Sequence, residues 1–423
     1  MRPGGSAAQT GAVVVNLQFL ADDAALLDSG YAWRRLAISV VYGTIGGVGM
    51  WAVVMVLPAV QAEFGVDRAN ASLPYTATMV GFCIGNVLVG RAIDRFGYWL
   101  PALMSSIALA AGFLLGAVAG SILQFTLVQG LLIGLGTSAT FGPLIADVSH
   151  WFDRRRGLAV TIGASGSYIA GAIWPAVMSP MMEAGGWRFT YAAIGVVCLV
   201  TMVPLVLMLR RPSPRTVSAS GAGQRSARPI ALSPAALQAL LVVAGLSCCV
   251  AMSMPQVHIV AYCMDLGYGV ARGADMMSIM LAAGVVSRIG SGFLADRIGA
   301  VNTLLLGSAL QCLSLALYIP FDGLASLYVV SLVFGLSQGG IVPCYAIIVR
   351  DYMPAAEAGQ RVGMVMMATV AGMAIGGWMS GWIYDATGSY AAAFLNGIAW
   401  NLLNLAAIGV LFWQSRRLTP VAA

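Results

Sequence analysis

Twelve long apolar segments constrain this chain more than any other feature of its sequence. Each has roughly 18 to 28 residues, which at about 1.5 Å per residue is enough to cross a hydrocarbon layer of about 30 Å. Only 9% of the 423 residues are charged, against about 25% in a soluble protein. We therefore predict an all-α membrane protein with spans near 36–61, 72–90, 99–120, 123–148, 157–181, 189–209, 236–264, 274–294, 301–319, 324–349, 361–383 and 390–413.

The basic residues are unevenly distributed, and all 22 of them are arginine. Eighteen fall in segments on the side of the N-terminus, whereas Arg68, Arg188 and Arg272 fall on the other side and Arg288 lies inside a span. The positive-inside rule then places both termini in the cytoplasm. We read the net charge of +6 as a signal of orientation rather than of nucleic-acid binding. The expected location is the cell inner membrane.

A stretch rich in Ser, Pro, Gly and Arg, from Arg210 to Pro234, separates six spans from six. Its composition is that of a linker. We therefore predict a cytoplasmic N-terminal tail (1–33), six-helix bundles at 34–210 and 234–414, a cytoplasmic linker (211–233) and a C-terminal tail (415–423).

The turn after the second span is repeated after the eighth. GRAIDRFG begins at Gly90 and GFLADRIG at Gly292, an offset of 202 residues, and in a second pair of similar stretches Pro143 and Pro343 are 200 residues apart. Two pairs of similar stretches at nearly the same offset predict a duplicated six-helix unit.

The repeated turn resembles the signature loop of the major facilitator superfamily, and the resemblance covers roughly residues 35–414. It implies twelve transmembrane helices in two pseudo-symmetric six-helix bundles. It also implies that the aspartate of each turn caps a neighbouring helix end and helps to lock the outward-open state. In the first copy Tyr98 and Trp99 replace the family's usual basic residues, which implies a weaker lock in that half. The residues implied in the lock are Gly90, Asp94, Arg95, Gly97, Gly292, Asp296, Arg297 and Gly299.

Further stretches resemble the monocarboxylate-transporter and oxalate/formate-exchanger branch of that family. They are HWFDRRRGLAVTIGASGSYIAGAIWP from His150 and GWRFTYAAIGV from Gly186. PQVHIVAYCMDLG, from Pro255, resembles the seventh helix of bacterial members. The fifth-helix signature of drug exporters is not present as such, which disfavours a multidrug exporter.

Arg288 is the only charged residue placed well inside a predicted span, and such residues usually face a cavity or a partner. Its guanidinium stays charged and can bind a carboxylate through two parallel hydrogen bonds. The resemblance implies the same role, because that branch uses an eighth-helix arginine for its substrate. At the repeat offset stands the neutral Asn86, so the charge is not part of the duplicated scaffold. We predict that Arg288 binds substrate; a snorkelling or structurally paired arginine is the alternative.

Two departures from the branch narrow the substrate. Animal members have an aspartate, implicated in proton coupling, four residues before the arginine, where this chain has Gly284. The branch also uses a lysine, and this chain has none. A monoanion is therefore favoured over a dicarboxylate held between two cations.

His258 is the main candidate for proton coupling or for a hydrogen bond to substrate, because imidazole titrates near neutral pH. The alternative is a histidine satisfied by a backbone carbonyl. Asp265 is a weaker proton candidate, since it lies close to the membrane surface. Six residues have the depth for a substrate site, although packing is the alternative for each: Tyr42, Trp51, Tyr168, Trp174, Gln256 and Gln338. Of these we select Tyr42, Trp174 and Gln338.

Together these features predict a secondary active transporter of small monocarboxylate anions, working as a monomer in the lipid bilayer by proton-coupled symport and alternating access. The alternative is a carboxylate exchanger of the oxalate/formate type; a multidrug exporter or a non-transporting sensor is less favoured. The sequence shows no phosphate loop, metal-ligand cluster or nucleophile constellation. We therefore expect no enzymatic activity, cofactor, metal or nucleic-acid partner.

Overall fold

The computed structural model describes residues 26–211, 213, 230, 232–354 and 357–417. No strand occurs among them, and eleven helical segments are long and apolar enough to cross a membrane. The predicted all-α membrane fold is therefore confirmed. The segments are Gly30–Phe64 (α1), Arg68–Phe96 (α2), Trp99–Ala117 (α3), Ile122–Ser149 (α4), Gly157–Met208 (α5 and α6, divided below), Pro234–Asp265 (α7), Val270–Ile298 (α8), Ala300–Leu317 (α9), Leu324–Tyr352 (α10), Gly359–Thr387 (α11) and Tyr390–Arg416 (α12).

The 52-residue segment Gly157–Met208 contains two spans, which meet at Gly186. The backbone there has φ 74° and ψ 178°, a region that essentially only glycine adopts. A Cβ on Gly47 would lie 2.7 Å from the Ala170 side chain, and one on Gly46 would lie 2.6 Å from that of Met202. Because residues before and after Gly186 flank the same point of α1, the chain doubles back there. We call 157–185 α5 and 187–208 α6, which makes twelve spans in the described residues.

Six spans precede the predicted linker and six follow it, and we call these groups the N-half (α1–α6) and the C-half (α7–α12). Most of the linker, residues 1–25 of the predicted N-terminal tail and residues 418–423 of the C-terminal tail lie outside the described residues. The even number of crossings puts Gly30 and Arg416 on one side of the bundle, which we call the terminal side; the opposite face is the far side. Far-side connections are short: 65–67, 118–121, Gly186, 266–269, 318–323 and 388–389.

Several helices begin outside their predicted apolar cores because polar caps extend them. Ser29 accepts a hydrogen bond from the backbone N–H of Ala32 at the start of α1, and Asp67 accepts one from that of Asn70 at the start of α2. Other helices are interrupted. Gln129–Gly134 is a π-helical turn inside α4, and α10 breaks between Leu324–Gln338 and Ile341–Tyr352.

The halves pack through two helix pairs, α2 with α11 and α5 with α8. A Cβ on Gly381 of α11 would lie 2.6 Å from the Ser72 hydroxyl oxygen of α2. A Cβ on Gly284 of α8 would lie 2.5 Å from a ring carbon of Tyr168 in α5. Glycines at these crossings allow the close approach that helices make within a membrane.

Candidate functional site

Arg288 lies between the halves and is only 7% exposed. Its Nη1 donates to the Ala164 carbonyl of α5 at 2.9 Å, and its Nε donates to the Gly339 carbonyl of α10 at 3.4 Å. The guanidinium carbon lies 4.2 Å from the ring centroid of Tyr168. One side chain of the C-half is thus held by two groups of the N-half.

The groups around this guanidinium are all neutral. No described carboxylate forms an ion pair with Arg288. Carbonyl dipoles and an aromatic face stabilise a buried cation without cancelling its charge. The arrangement therefore leaves a net positive charge where the halves meet, which a small anion would complement.

Tyr168 occupies the space that a side chain at position 284 would need. Two of its ring carbons would lie 2.5 and 2.6 Å from a Cβ on Gly284. The ring therefore fills the space beside position 284 and faces the guanidinium of Arg288. The sequence placed Tyr168 at the right depth, but depth alone does not fix the rotation of a helix, so Tyr168 was not among the selected residues.

Gln338 pairs with Gln256 beside this site. The Gln256 Nε2 donates to the Gln338 Oε1 at 2.7 Å, and both side chains are buried. The pair retains a free acceptor, Gln256 Oε1, and a free donor, Gln338 Nε2, neither of which has a described partner. Since Gln338 directly precedes Gly339, the pair adjoins the carbonyl that receives the Arg288 Nε.

Tyr42 and Trp174, the other selected residues, have their partners within the N-half. The Tyr42 hydroxyl donates to the Ala102 carbonyl of α3 at 3.2 Å. The Trp174 indole donates to the Thr44 carbonyl of α1 at 3.0 Å. These hydrogen bonds join neighbouring helices of one half, and their role in binding substrate stays a prediction.

His258 lies away from Arg288, in the layer where α7 meets α11 and α12, and it is fully buried. Its Nε2 is 2.8 Å from the Gly377 carbonyl, and its Nδ1 is 3.4 Å from the Tyr390 hydroxyl. The backbone-carbonyl contact considered from the sequence is therefore present, together with a second contact to a tyrosine.

Asp265 belongs to a set of far-side contacts that joins the halves. Its carboxylate pairs with Arg68 of α2 at 3.1 Å. The Arg68 Nη1 donates to the Tyr390 hydroxyl at 2.8 Å, and Asp385 accepts from the backbone N–H groups of Arg68 and Ala69. We call Arg68, Asp265, Asp385 and Tyr390 the Arg68 cluster. Sequence reasoning placed Arg68 on the side poor in arginine but did not predict that these residues contact one another.

A cavity of about 330 Å³ adjoins the Arg68 cluster between α1 and α7. Its lining includes the paired side chains of Arg68 and Asp265 and otherwise consists of apolar groups and one amide. The residues are Pro58, Gln61, Ala62, Gly65, Val66, Arg68, Ala261, Met264 and Asp265.

The repeated turns lie on the terminal side, where Asp94, Arg95, Asp296 and Arg297 are exposed. None of these four forms an ion pair with another described residue. Gly97 and Gly299 both have positive φ, 76° and 86°, which suits the glycines that close each turn. The role of these residues in locking the outward-open state stays a prediction. On the far side, by contrast, the Arg68 cluster joins the two halves.

Two of the stretches that carried the family resemblance organise the N-half. Glu63 accepts from the Trp187 indole and from the guanidinium of Arg188, so Gly-Trp-Arg fastens the start of α6 to the end of α1. Asp28 accepts from the backbone N–H of Arg154 at 2.9 Å. Partial burial raises the pKa of Asp28, but hydrogen bonds from the N–H groups of residues 153–155 outweigh it and hold that pKa below its ordinary value.

Two six-span groups meeting around a buried, uncompensated cation define a membrane transporter. A family model, Major Facilitator Superfamily, matches residues 40–359 and 276–422. The chain belongs to that family, as the repeated turns implied.

Relatives support the same assignment. Monocarboxylate transporter 13 of Rattus norvegicus is 28% identical over 389 residues, which cover 87% of this chain and 86% of that protein. MFS-type transporter pynF of Aspergillus niger is 27% identical over 287 residues, 67% of this chain and 65% of that one, so the match spans just under two thirds of the fungal protein.

A solved structure shares the fold. It is a bacterial homolog of the human lysosomal transporter Spinster in an inward-facing, unoccupied conformation. It aligns with a TM-score of 0.70 at 11% identity, covering 92% of this chain and 98% of that one.

Proposed function

We propose that this transporter carries small monocarboxylate anions, with Arg288 binding the carboxylate. The observation that carries the proposal is a buried guanidinium at the boundary of the halves whose described neighbours are all neutral. A carboxylate would replace the Ala164 carbonyl on Nη1 and supply the missing charge. The relationship to a protein named as a monocarboxylate transporter supports the same substrate class.

The arrangement also suits a single negative charge. Arg288 is the one cation placed between the two halves at this depth in the described spans, and the chain has no lysine to supply another. The free amide groups of Gln256 and Gln338 offer one acceptor and one donor to an uncharged part of the substrate.

We assign the terminal side to the cytoplasm, because eighteen of the 22 arginines belong to sequence segments that the predicted topology puts on the side of the N-terminus. The far side then faces away from the cytoplasm, as expected for a multi-pass protein of the cell inner membrane. The Arg68 cluster holds that outer side together, so the described state is one in which the halves are joined on the outer side during an alternating-access cycle. Protons drive the cycle in this proposal, and His258 is the group that carries them, since it contacts the Arg68 cluster through Tyr390.

A carboxylate exchanger is the second candidate. It is favoured by one observation, namely that His258 contacts a backbone carbonyl and Tyr390 rather than the Arg288 site. An exchanger needs no titratable group. Counterflow that is insensitive to a proton gradient would establish it, whereas accumulation driven by an inward proton gradient supports symport.

The substrate assignment is tested in proteoliposomes with labelled short monocarboxylates. Arg288→Ala should abolish uptake, and Arg288→Lys should retain only a small part of it, because an ammonium lacks the planar fork. Arg272→Ala is the matched control, since Arg272 lies on the same helix in an exposed pair with Asp275. Normal uptake by Arg288→Ala would refute the assignment. Substrate should also raise the thermal midpoint of the parent but not of Arg288→Ala.

A further inference from the structure

A continuous chain of hydrogen bonds links His258 to the Arg68 cluster. His258 contacts Tyr390 through Nδ1, and Tyr390 in turn receives the Arg68 Nη1 at 2.8 Å. The His258 ring lies 5.8 Å from the Tyr390 ring. Tyr390 is therefore the described residue that is hydrogen-bonded to both His258 and Arg68.

The donors and acceptors in this chain have a fixed direction when His258 is neutral. The Gly377 carbonyl can only accept, so the 2.8 Å contact requires the hydrogen on Nε2. Nδ1 is then an acceptor, and it receives the Tyr390 O–H. Because Arg68 has only donors, the Tyr390 oxygen accepts from it. In this protonation state no donor of these hydrogen bonds faces another donor, and the Arg68 Nε is the one atom of the three side chains left without a described partner.

Charged and titratable groups surround His258 on several helices. Arg68 is the nearest cation, and its charge is compensated by Asp265 on α7. The remaining groups are Tyr75 on α2, Tyr262 on α7, Tyr384 and Asp385 on α11, and Tyr390 on α12.

Protonation of His258 would reverse one link of the chain. Nδ1 would become a donor, so the Tyr390 hydroxyl would have to turn away and accept from it. The same oxygen would then face two cations, imidazolium and guanidinium, in a buried layer where like charges repel strongly. Separation of Arg68 from the C-half would relieve this repulsion.

We propose that Tyr390 is a positioning residue that transmits the protonation of His258 to Arg68, so that a proton on His258 loosens the far-side tie between the halves. The inference rests on the proposed proton coupling and specifies where it acts. Protonation would favour the state open to the far side, into which the anion enters. Loss of the proton would restore the Arg68 cluster described here.

The test is the reactivity of a reporter cysteine in the purified full chain without substrate. Ala261→Cys serves, because Ala261 is 1% exposed and lines the cavity beside Arg68 and Asp265. Gln61→Cys, on the α1 side of the same cavity, is a second reporter if the first variant does not fold. Maleimide labelling rates of the reporter are compared between the parent and each variant at the same pH, which cancels the pH dependence of the thiol itself. The labelling of the native cysteines, measured without the reporter, is subtracted.

Tyr390→Phe keeps the ring and removes the link. At about pH 7.5 it should label about tenfold faster than the parent, and at a pH low enough to protonate His258 the two rates should converge, because the parent is then open. His258→Gln can keep both hydrogen bonds but cannot titrate. Its labelling rate should therefore match that of the parent at the higher pH and be about tenfold below that of the parent at the lower pH.

Tyr318→Phe is the matched control. It deletes another buried hydroxyl of the C-half, one that is hydrogen-bonded to Ser331. Its labelling rate should equal that of the parent at both pH values. If the labelling rate of Tyr390→Phe divided by that of the parent is the same at both pH values, the role of Tyr390 is purely structural and the inference is overturned. Because no substrate is used, this result is independent of the Arg288 uptake test: either proposal can fail while the other stands.

Discussion

At the scale of single residues, the carboxylate site is defined by what surrounds a charge rather than by the charge alone. Arg288 was found from the sequence because an arginine inside a span is costly. Its partners were not, since Ala164 contributes only a backbone carbonyl and Tyr168 resembles any other aromatic residue in a span. A single sequence gives the depth of a residue but not the direction it faces.

Gly284 offers a test of the aromatic contact. In Gly284→Ala the added methyl would force the Tyr168 ring to move, because two ring carbons would lie 2.5 and 2.6 Å from it. Loss of the cation–π contact should raise the KM for carboxylate uptake about threefold to tenfold. Gly290→Ala on the same helix has open space around its Cβ and should leave KM unchanged. Equal KM values for the two variants would contradict a role for the ring.

Arg68 shows why other site residues escape sequence reasoning. A charge at the end of a span is common and needs no special partner, so nothing in the sequence distinguishes Arg68 from Arg272. In the fold, however, Arg68 is 7% exposed and bonds to residues about two hundred and three hundred positions later in the chain. Such long-range pairing depends on the docking of the halves, which local patterns do not specify.

At the scale of helices, the sequence predicted the spans well because hydrophobic length is a direct physical requirement of the bilayer. Their ends were less accurate. Caps such as Ser29 and Asp67 extend α1 and α2 beyond the apolar core. Between α5 and α6 the sequence predicted a short connection from 182 to 188, whereas the chain turns at one glycine.

That turn makes Gly186 a strongly constrained position, because this one residue connects two spans. Gly186→Ala should lower the unfolding free energy by about 1 to 3 kcal/mol, because a Cβ is strained at φ 74° and ψ 178°. The measurement is the thermal midpoint of the purified protein. Gly409→Ala, in a helix with open space at its Cβ, should keep or slightly raise the midpoint. A midpoint for Gly186→Ala as high as that of this control would refute the strain.

At the scale of the whole molecule, a few specific polar contacts join the two halves, in addition to the packing of α2 on α11 and of α5 on α8. The Arg68 cluster and the hydrogen bond from Thr76 to the Ala374 carbonyl join them near the far side, and Arg288 joins them between α5 and α8. The duplication visible in the sequence predicted the two groups of six spans but not which faces meet. If the halves rock about the site, the far-side contacts must break in every cycle.

A reversible cross-link tests that requirement. A Cβ on Gly381 would lie 2.6 Å from the Ser72 hydroxyl oxygen, which suits a disulfide between Ser72→Cys and Gly381→Cys. Oxidation of the double variant should reduce uptake about tenfold or more, and a reducing agent should restore it. Each single variant controls for the substitution itself and should not respond to oxidation. Unchanged uptake by the cross-linked protein would exclude separation of α2 from α11 during transport.

The short connections of the far side also determine how the protein can be recognised from that face. The helices there are joined by a few residues each, and at Gly186 by one. Two of the three arginines on that face are engaged in contacts that hold helices together, and no lysine is available to amine-directed reagents. Antibodies and proteases acting from that side would find almost no free loop. A selective external blocker would therefore have to enter the substrate path itself.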